Sequence, residues 1–290
     1  MKSYTGRFAP SPTGRLHTGS VLAAVGSFLD ARHCGGRWLL RMEDLDTPRT
    51  QPGSAADILR TLETLALHWD GEVTYQSRRP ARYREALGLL RERGLTFECS
   101  CSRQTLAAQG DSGYPGTCRE GARETGPTAT RFRVREGRVH WQDRFQGPRS
   151  QDLTQLGDVV IRRRDGLIAY QLAVVVDDAD QGVTDVVRGA DLLESTAWQI
   201  ELQRALGLRH PRYGHLPLVT APDGAKLAKS RHALAPDLAD PGKVLFETLV
   251  LLRQRPPGEL AGLPAAEVLK WGISNWKLGN LAGIVAVPAP

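Results

Sequence analysis

Residues 4–22 carry the sequence YTGRFAPSPTGRLHTGSVL. The segment begins as a short strand over Tyr4–Ala9, breaks in a loop rich in proline and glycine, and enters a helix near Gly19 whose apolar residues recur on one face. After Gly35-Gly36 ends this helix, the apolar run Arg37–Met42 predicts a buried strand. Strand, helix and strand in this order form a β-α-β unit, which implies a parallel sheet.

The rest of the chain extends this sheet on either side of an insertion. Composition changes between Phe97 and Pro148, where Arg131–Arg135 alternates like an exposed strand. Sheet character returns at Asp158–Arg162 and Ile168–Val176, and a long helix follows near Ser195–Leu206. We therefore predict an α/β fold: a Rossmann-like domain with a parallel sheet, split by an insertion and followed by a short helical segment.

Composition places the chain among ordinary globular proteins. Of 290 residues, 41% are hydrophobic and 24% are charged, and 38 basic residues exceed 32 acidic ones for a net charge of +6. The excess favours a polyanionic partner such as nucleic acid, although a solvated basic surface gives the same count. No apolar run approaches the roughly 18 residues that cross a bilayer, so no membrane partner is expected.

The loop that ends in a histidine is the first candidate for chemistry. It delivers His17, Gly19 and Ser20 to the start of a helix, where unpaired N–H groups and the helix dipole attract phosphate oxygens. Gly19 allows a ligand to approach the backbone closely, and His17 can donate a hydrogen bond to phosphate. A lone His-x-Gly in an ordinary loop is the alternative.

The second candidate is a pair of lysines late in the chain. No lysine occurs between Lys2 and Lys226, and Lys229 and Ser230 then follow within four residues of Lys226. Because the chain otherwise carries its positive charge as arginine, two compact ammonium groups in one loop suit the stabilisation of a triphosphate. A short solvated loop would show the same letters.

Three of the four cysteines lie close together. Cys99, Cys101 and Cys118 form an odd-numbered group, which suits a metal site better than disulfides, and Cys34 at a helix end is expected to pack. Residues i and i+2 of an extended segment share a face, so Cys99 and Cys101 can bind one ion, and Pro115-Gly116 supplies a turn towards Cys118. Three free thiols are the alternative.

Taken together, these motifs resemble a known family. His17-Thr18-Gly19-Ser20 and Lys226–Ser230, in this order on a parallel sheet, resemble the HIGH and KMSKS motifs of class I aminoacyl-tRNA synthetases. Five further segments resemble the catalytic core of the glutamyl-tRNA synthetase family, namely Arg7–Gly14, Arg41–Asp46, Tyr75–Arg78, Ala173–Asp178 and Gly214–Val219.

The resemblance implies a set of substrate-binding residues. His17 and Lys229 are expected to be catalytic. ATP, with Mg²⁺, is expected to bind His17, Gly19, Ser20, Lys226, Lys229 and Ser230. L-Glutamate is expected to bind Arg7, Ala9, Ser11, Glu43, Tyr170 and Arg188. The charges agree with this, since Glu43 can pair with the substrate ammonium and planar arginines suit its carboxylates. Taken singly, each arginine could be a surface residue, and Tyr170 could belong to the core.

The resemblance also implies a structural Zn²⁺ ion with Cys99, Cys101, Tyr114 and Cys118 as ligands, although tyrosine is not a usual zinc donor. The predicted domains are then the first half of the catalytic domain (1–96), the zinc-bearing insertion (97–150), the second half with the lysine loop (151–235) and the short helical segment (236–290).

The chain stops with room for only a short helical segment in place of an anticodon-binding region. This resembles a truncated branch of the family that transfers glutamate to the queuosine base in the anticodon of tRNA(Asp). We therefore expect a cytoplasmic ligase that activates glutamate with ATP without needing tRNA. The alternatives are a synthetase core that charges a tRNA 3′ end and a non-catalytic zinc-bearing RNA-binding protein. The oligomeric state stays open.

Overall fold

The computed structural model describes residues 4–107, 113–221 and 236–289. Within these ranges the helices are α1 (Thr18–His33), α2 (Ser54–Thr64), α3 (Pro80–Glu92), α4 (Arg103–Ala107), α5 (Leu153–Leu156), α6 (Tyr170–Asp180), α7 (Ser195–Leu206), α8 (Pro241–Leu251) and α9 (Ala265–Asn275). The strands are β1 (Thr5–Phe8), β2 (Arg37–Met42), β3 (Thr74–Tyr75), β4 (Thr96–Cys99), β5 (Ala129–Phe132), β6 (Arg138–Asp143), β7 (Gly147–Asp152), β8 (Val159–Arg162), β9 (Asp185–Gly189), β10 (Arg212–Leu216), β11 (Leu218–Thr220) and β12 (Ala286–Pro288).

Parallel strands form the first half of the sheet. β1 pairs with β2, and β2 with β3, all in parallel, and every residue of β1 is buried. α1 connects β1 to β2 and contributes Val21, Leu22, Val25 and Leu29 to the core shared with these strands. The predicted β-α-β unit is confirmed, and Cys34, which follows α1, is exposed. The expectation that Cys34 packs is wrong because the helix ends at the surface.

A second sheet has the strand order β7-β6-β10-β9, in which β9, β10 and β6 are parallel. The Thr184 N–H donates to the Thr5 carbonyl oxygen at 2.9 Å, so β9 begins beside β1. β6 and most of the antiparallel β7 lie within the segment predicted as an insertion, and they extend the sheet that carries Arg188 and His215. The α/β class with a parallel sheet is confirmed.

β4, β5 and β8 form a separate antiparallel sheet beside the cysteines. The exposed strand predicted over Arg131–Arg135 is wrong, because β5 covers Ala129–Phe132 and is buried throughout. The Arg131 guanidinium lies 3.8 Å from the centre of the Tyr114 ring and donates to the Asp158 carbonyl oxygen at 2.6 Å. The aromatic face of Tyr114 and the Asp158 carbonyl thus stabilise the buried charge of Arg131, which the alternating pattern had predicted to be exposed to solvent.

The strand character predicted for Ile168–Val176 is wrong from Tyr170 onward, where α6 begins. Leu172 to Val176 are all buried, so the helix has no polar face over this stretch and its period is hidden in the sequence. Packing on all sides overrides the preference of three consecutive valines for a strand.

The C-terminal helices pack against α1. A Cβ on Gly272 of α9 would lie 3.0 Å from Leu29 Cδ2, so only glycine permits this approach without displacing the leucine. The buried Asp30 carboxylate accepts hydrogen bonds from Trp276 Nε1 (3.0 Å), from Arg144 and from the Tyr4 hydroxyl. None of the helices in the described ranges has the length and apolar character needed to cross a membrane.

Candidate active site

A cavity of about 700 Å³ opens at the carboxyl ends of β1, β2 and β9. Parallel sheets bind ligands at this edge, because the loops that leave neighbouring strands meet there. The cavity is lined by every residue predicted to bind ATP or glutamate that the structure describes, namely Arg7, Ala9, Ser11, His17, Gly19, Ser20, Glu43, Tyr170 and Arg188. Lys226, Lys229 and Ser230 lie outside the described residues, and their roles stay predictions.

The N-terminus of α1 forms one wall of the cavity. His17 is the N-cap of α1, and its Nδ1 accepts the Ser20 backbone N–H at 3.3 Å. This leaves Nε2 as the protonated nitrogen, 3.0 Å from Ser20 Oγ. Burial lowers the pKa of His17, against the opposing charge of Asp191, so the ring is neutral and offers one N–H.

Gly19 keeps this wall open. A Cβ at Gly19 would lie 3.2 Å from Cε1 of the His17 ring, tighter than ordinary packing allows. A side chain there would displace the imidazole or fill the space in front of the helix terminus. The positive end of the α1 dipole, the imidazole and the glycine together form an anion site of the kind that binds phosphate.

Glu43 lies on the floor of the cavity, directly after β2. Its backbone N–H donates to the Pro10 carbonyl oxygen at 2.9 Å, and its side chain is only 9% exposed. Glu43 Oε1 has no hydrogen-bond donor among the described residues, and the nearest Arg41 nitrogen is 3.7 Å away. Burial raises the pKa of the Glu43 carboxyl to about 7, although Arg41 and Arg7 favour the charged form.

Below Glu43, buried charges from β1, β2 and α6 pair with one another. Arg7 Nε donates to Asp178 Oδ1 at 3.1 Å, and Arg41 Nη2 donates to the same oxygen at 2.8 Å. Arg41 also lies 3.8 Å from Asp177. These pairs fix the orientation of Arg7, which lines the cavity. They also give the buried acids of α6, Asp177 and Asp178, their partners, while the first residue of α6, Tyr170, lines the cavity.

Arg188, at the end of β9, is 5% exposed and is held by neutral acceptors. Its Nη1 donates to Gln199 Oε1 (2.7 Å) and to the Tyr170 hydroxyl (3.2 Å), and its Nη2 donates to Thr196 Oγ1 (2.9 Å). Its Nε donates to His215 Nε2 at 3.0 Å. Within the described chain no carboxylate lies within 4 Å of this guanidinium, so its charge is left for a ligand.

The cysteines form a second site in the antiparallel module. The Sγ atoms of Cys99, Cys101 and Cys118 lie within 4.8 Å of one another, and Cys101 and Cys118 are 3.6 Å apart. Thiolates around one tetrahedral zinc ion are about 3.8 Å apart, so this group could hold such an ion. The Tyr114 hydroxyl lies 3.5 Å from Cys99 Sγ and accepts the Cys118 N–H at 2.7 Å, so its oxygen faces the cluster.

Several residues of the site were missed by the reasoning from sequence. Asp191 lines the cavity and its charge acts on His17, and it could have been found because it lies two residues after β9. Thr196, Gln199 and His215 surround Arg188. Nothing in the local sequence marks Thr196 and Gln199 of α7, whereas His215 lies in Gly214–Val219, a segment that the resemblance singled out without giving the histidine a role.

The fold and this site define a class of protein. Residues 4–255 match the family model of class I tRNA synthetases (E and Q), catalytic domain. A glutamate-tRNA synthetase from Elizabethkingia anophelis superposes with a TM-score of 0.81 and 26% identity, covering 98% of this chain and 68% of that one. A glutamate tRNA ligase from Elizabethkingia meningosepticum CCUG26117, solved in complex with its amino acid, gives a TM-score of 0.80 and 25% identity, covering 100% and 67%. The chain is a class I aminoacyl-tRNA synthetase-like ligase.

More similar relatives narrow this class. A glutamyl-Q tRNA(Asp) synthetase from Ectopseudomonas mendocina (strain ymp) is 54% identical over 276 residues, covering 94% of this chain and 93% of that relative. A glutamyl-Q tRNA(Asp) synthetase from Pseudomonas aeruginosa PAO1 is 50% identical over 288 residues, covering 99% of this chain and 98% of that relative. The chain belongs to the glutamyl-Q tRNA(Asp) synthetase family.

Proposed function

We propose that the chain activates L-glutamate with ATP, without tRNA, and transfers the glutamyl group to the queuosine base in the anticodon of tRNA(Asp). Membership of the family gives glutamate, ATP and tRNA as the substrate classes. We expect the reaction in the cytoplasm, where these three substrates meet.

The observation that carries the proposal is the charge pattern of the cavity. Glu43 brings a buried carboxylate with an unpartnered oxygen, and Arg188 brings a buried guanidinium with no carboxylate partner in the described chain. A ligand that satisfies both needs an ammonium and a carboxylate, and Arg7 offers a second cation for a second carboxylate. Glutamate has this combination of charges, whereas glutamine lacks one of the carboxylates.

In the first step, an α-carboxylate oxygen of glutamate attacks the α-phosphorus of ATP. The P–O bond to the β-phosphate breaks, and glutamyl-adenylate and pyrophosphate form. The substrate carboxylate is already ionised, so no general base is needed. His17 and the first turn of α1 stabilise the phosphate charge with N–H groups, and Lys226, Lys229 and Ser230 are proposed to add positive charge and a hydroxyl donor for the same phosphates. The Mg²⁺ that accompanies ATP supplies further charge neutralisation.

In the second step, a hydroxyl of the queuosine ring attacks the carbonyl carbon of the adenylate. The acyl C–O bond to AMP breaks, the hydroxyl proton leaves with AMP or solvent, and an ester forms on the base. The cavity holds the adenylate at the sheet edge, so positioning of the hydroxyl supplies most of the acceleration.

We further infer that the ion held by Cys99, Cys101 and Cys118 is zinc, with Tyr114 as the fourth ligand. Three thiols that can converge on one centre fit zinc better than magnesium or calcium, which prefer oxygen ligands. Four protein ligands leave no open position, so this ion serves the structure of the module and takes no part in either step.

The activation step is tested by glutamate-dependent ATP–pyrophosphate exchange in the absence of tRNA. We expect exchange with glutamate and much weaker exchange with glutamine or aspartate. Loss of a charge-assisted contact in R188Q should raise the KM for glutamate roughly 10- to 100-fold and leave the KM for ATP nearly unchanged. Absence of exchange with all three amino acids would favour the non-catalytic RNA-binding alternative.

The acceptor is tested with labelled glutamate and three RNAs. We expect ester formation on tRNA(Asp) that contains queuosine, and none on tRNA(Asp) without queuosine or on unmodified tRNA(Glu). Labelling of tRNA(Glu) at its 3′ end would overturn the proposed acceptor and support an ordinary glutamyl-tRNA synthetase activity.

A further inference from the structure

Arg188 is the cation of the amino-acid pocket, and its orientation depends on a hydrogen bond to His215 of β10. The Arg188 guanidinium donates five hydrogen bonds. Nη1 donates to Tyr170 and Gln199, and Nη2 donates to Thr196 and to the Leu192 carbonyl oxygen. The fifth joins Arg188 Nε to His215 Nε2 on the neighbouring strand β10. A guanidinium is planar, so fixing Nε and one Nη group fixes the direction of the whole fork.

His215 can accept from Arg188 only in one tautomer. Arg188 Nε always carries a hydrogen, so His215 Nε2 must present its lone pair and Nδ1 must carry the proton. His215 Nδ1 lies 2.5 Å from Asp143 Oδ2, and both side chains are fully buried. A carboxylate at this distance selects the Nδ1–H tautomer. Burial and the charge of Arg188 lower the pKa of His215 to about 4, even though Asp143 favours protonation, so the ring is neutral.

Asp143 is itself fixed by the backbone. Its Oδ1 accepts the N–H groups of Phe145 (3.0 Å), Gln146 (2.9 Å) and His215 (3.1 Å), which leaves Oδ2 as the oxygen that faces the imidazole. The backbone of the turn after β6 therefore holds Asp143, Asp143 holds the His215 ring, and the His215 ring accepts from Arg188, which lines the cavity.

We propose that Asp143 and His215 are positioning residues of the amino-acid pocket, which set the direction of the Arg188 guanidinium through one imidazole tautomer. The inference rests on the proposed function of Arg188 as the partner of a glutamate carboxylate. Neither residue lines the cavity. Their effect therefore reaches the substrate through Arg188, directly and by way of Thr196 Oγ1, which lies 3.3 Å from His215 Nε2 and accepts from Arg188 Nη2. It concerns the affinity for glutamate more than that for ATP.

Two isosteric variants at position 215 separate positioning from stability. The amide of H215N replaces Nδ1, so it keeps a donor to Asp143 and loses the acceptor for Arg188. The amide of H215Q replaces Nε2, so it keeps the acceptor for Arg188 and leaves Asp143 Oδ2 without a donor. We expect H215N to raise the KM for glutamate about tenfold, and H215Q to keep it within about threefold of the unmodified chain while lowering the melting temperature more than H215N does.

A third variant tests the tautomer itself. In D143N the three backbone N–H groups hold the amide oxygen, so the amide NH₂ faces His215 Nδ1 and forces the proton to Nε2, where it opposes the Arg188 Nε–H. We expect D143N to raise the KM for glutamate about tenfold with little change in the KM for ATP. H210N, at a histidine on the surface that does not line the cavity, is the matched control and should leave both constants unchanged.

A readout independent of activity is the long-range ¹H–¹⁵N spectrum of the histidine rings, in which H215Q identifies the His215 signals. We expect the Nδ1–H form in the unmodified chain and the Nε2–H form in D143N. Equal effects of H215N and H215Q on the KM for glutamate, or an Nε2–H ring in the unmodified chain, would overturn the inference and leave the proposed function intact. Failure of the unmodified chain to exchange with glutamate would instead overturn the proposed function.

Discussion

At the scale of single residues, Glu43 shows how the site prepares for a charged ligand. Its carboxylate is buried beside Arg41 and Arg7, but Arg7 and Arg41 direct their short hydrogen bonds to Asp178. One oxygen of Glu43 is therefore left without a donor in the described chain, and burial raises the pKa of this carboxyl to about 7. An ammonium group bound there would favour the ionised form and lower that pKa again.

This linkage predicts a pH dependence of glutamate affinity. Below pH 7 Glu43 is largely protonated, and it must release its proton to pair with the ammonium, so the KM for glutamate should rise as pH falls from 8 to 6 and approach a tenfold rise per pH unit. The measurement is exchange at saturating ATP across this range. E43Q, which cannot titrate, should show a high KM that does not vary with pH. A flat KM for the unmodified chain would contradict this role of Glu43.

Residues near strand ends were predictable, and those that support them were not. Glu43 and Arg188 were implied by the resemblance to the glutamyl-tRNA synthetase family, and their places near the carboxyl ends of parallel strands, at the ligand edge of the sheet, agree with it. The contact between Asp143 and His215 joins residues 72 positions apart in the sequence, through the pairing of β6 with β10. A single sequence contains no local signal for a contact that only the strand order creates.

At the scale of elements, α1 packs closely against β10 at a glycine. Gly26 of α1 faces Leu216 of β10, the residue that follows His215, and a Cβ at Gly26 would lie 2.6 Å from Leu216 Cδ1. Leu216 is fully buried, so it has little room to withdraw. The absence of a side chain at Gly26 is therefore what allows α1 to lie close to β10.

This contact predicts opposite effects of adding side chains at two helical glycines. G26V should lower the free energy of unfolding by about 1–3 kcal/mol, because the added methyl groups overpack the contact with Leu216. G88A, in α3, meets no atom within 4 Å and should raise it by about 0.5–1 kcal/mol, because alanine loses less backbone entropy than glycine. Denaturant unfolding of both variants measures the two effects. A G26V chain as stable as the unmodified one would show that α1 can move away at no cost.

The two β-α-β strands and α1 were predictable because proline and glycine residues mark where α1 begins and ends, whereas α6 was not. The three valines of α6 favour a strand in isolation, and the helix forms because α6 packs against α3, α7 and β8 on several sides at once. The acidic residues of α6 argue against a strand continuing through this segment. Asp177 and Asp178 are buried and pair with Arg79, Arg7 and Arg41 from other elements.

At the scale of the whole molecule, the apolar interior consists of three clusters among the described residues. Two large ones lie on the faces of the parallel strands, and a small one contains Phe97, Cys99, Tyr114 and Cys118. The small cluster buries little surface by itself, so the metal proposed there would supply much of the stability of the antiparallel module.

Removal of the metal should therefore lower the thermal stability of the chain without abolishing the activation of glutamate. We expect a chelator, or the variant C101S, to release about one zinc ion per chain and lower the melting temperature, while glutamate-dependent exchange persists because the cavity is built by other elements. Metal analysis, thermal unfolding and exchange on the same samples provide the measurement. C34S is the matched control, because Cys34 is exposed and lies outside the cluster. An unchanged metal content in C101S would refute the site.

The hydrogen bonds of Asp30 connect distant parts of the chain. The carboxylate lies near the end of α1, and its donors are Tyr4 just before β1, Arg144 in the turn after β6 and Trp276 just after α9. During synthesis on the ribosome, the Tyr4 and Arg144 donors of Asp30 emerge long before Trp276 does. A nascent chain that ends before that tryptophan lacks the last of these hydrogen bonds and the packing of α9 on α1, so this side of α1 stays accessible to chaperones and proteases until translation has passed this point.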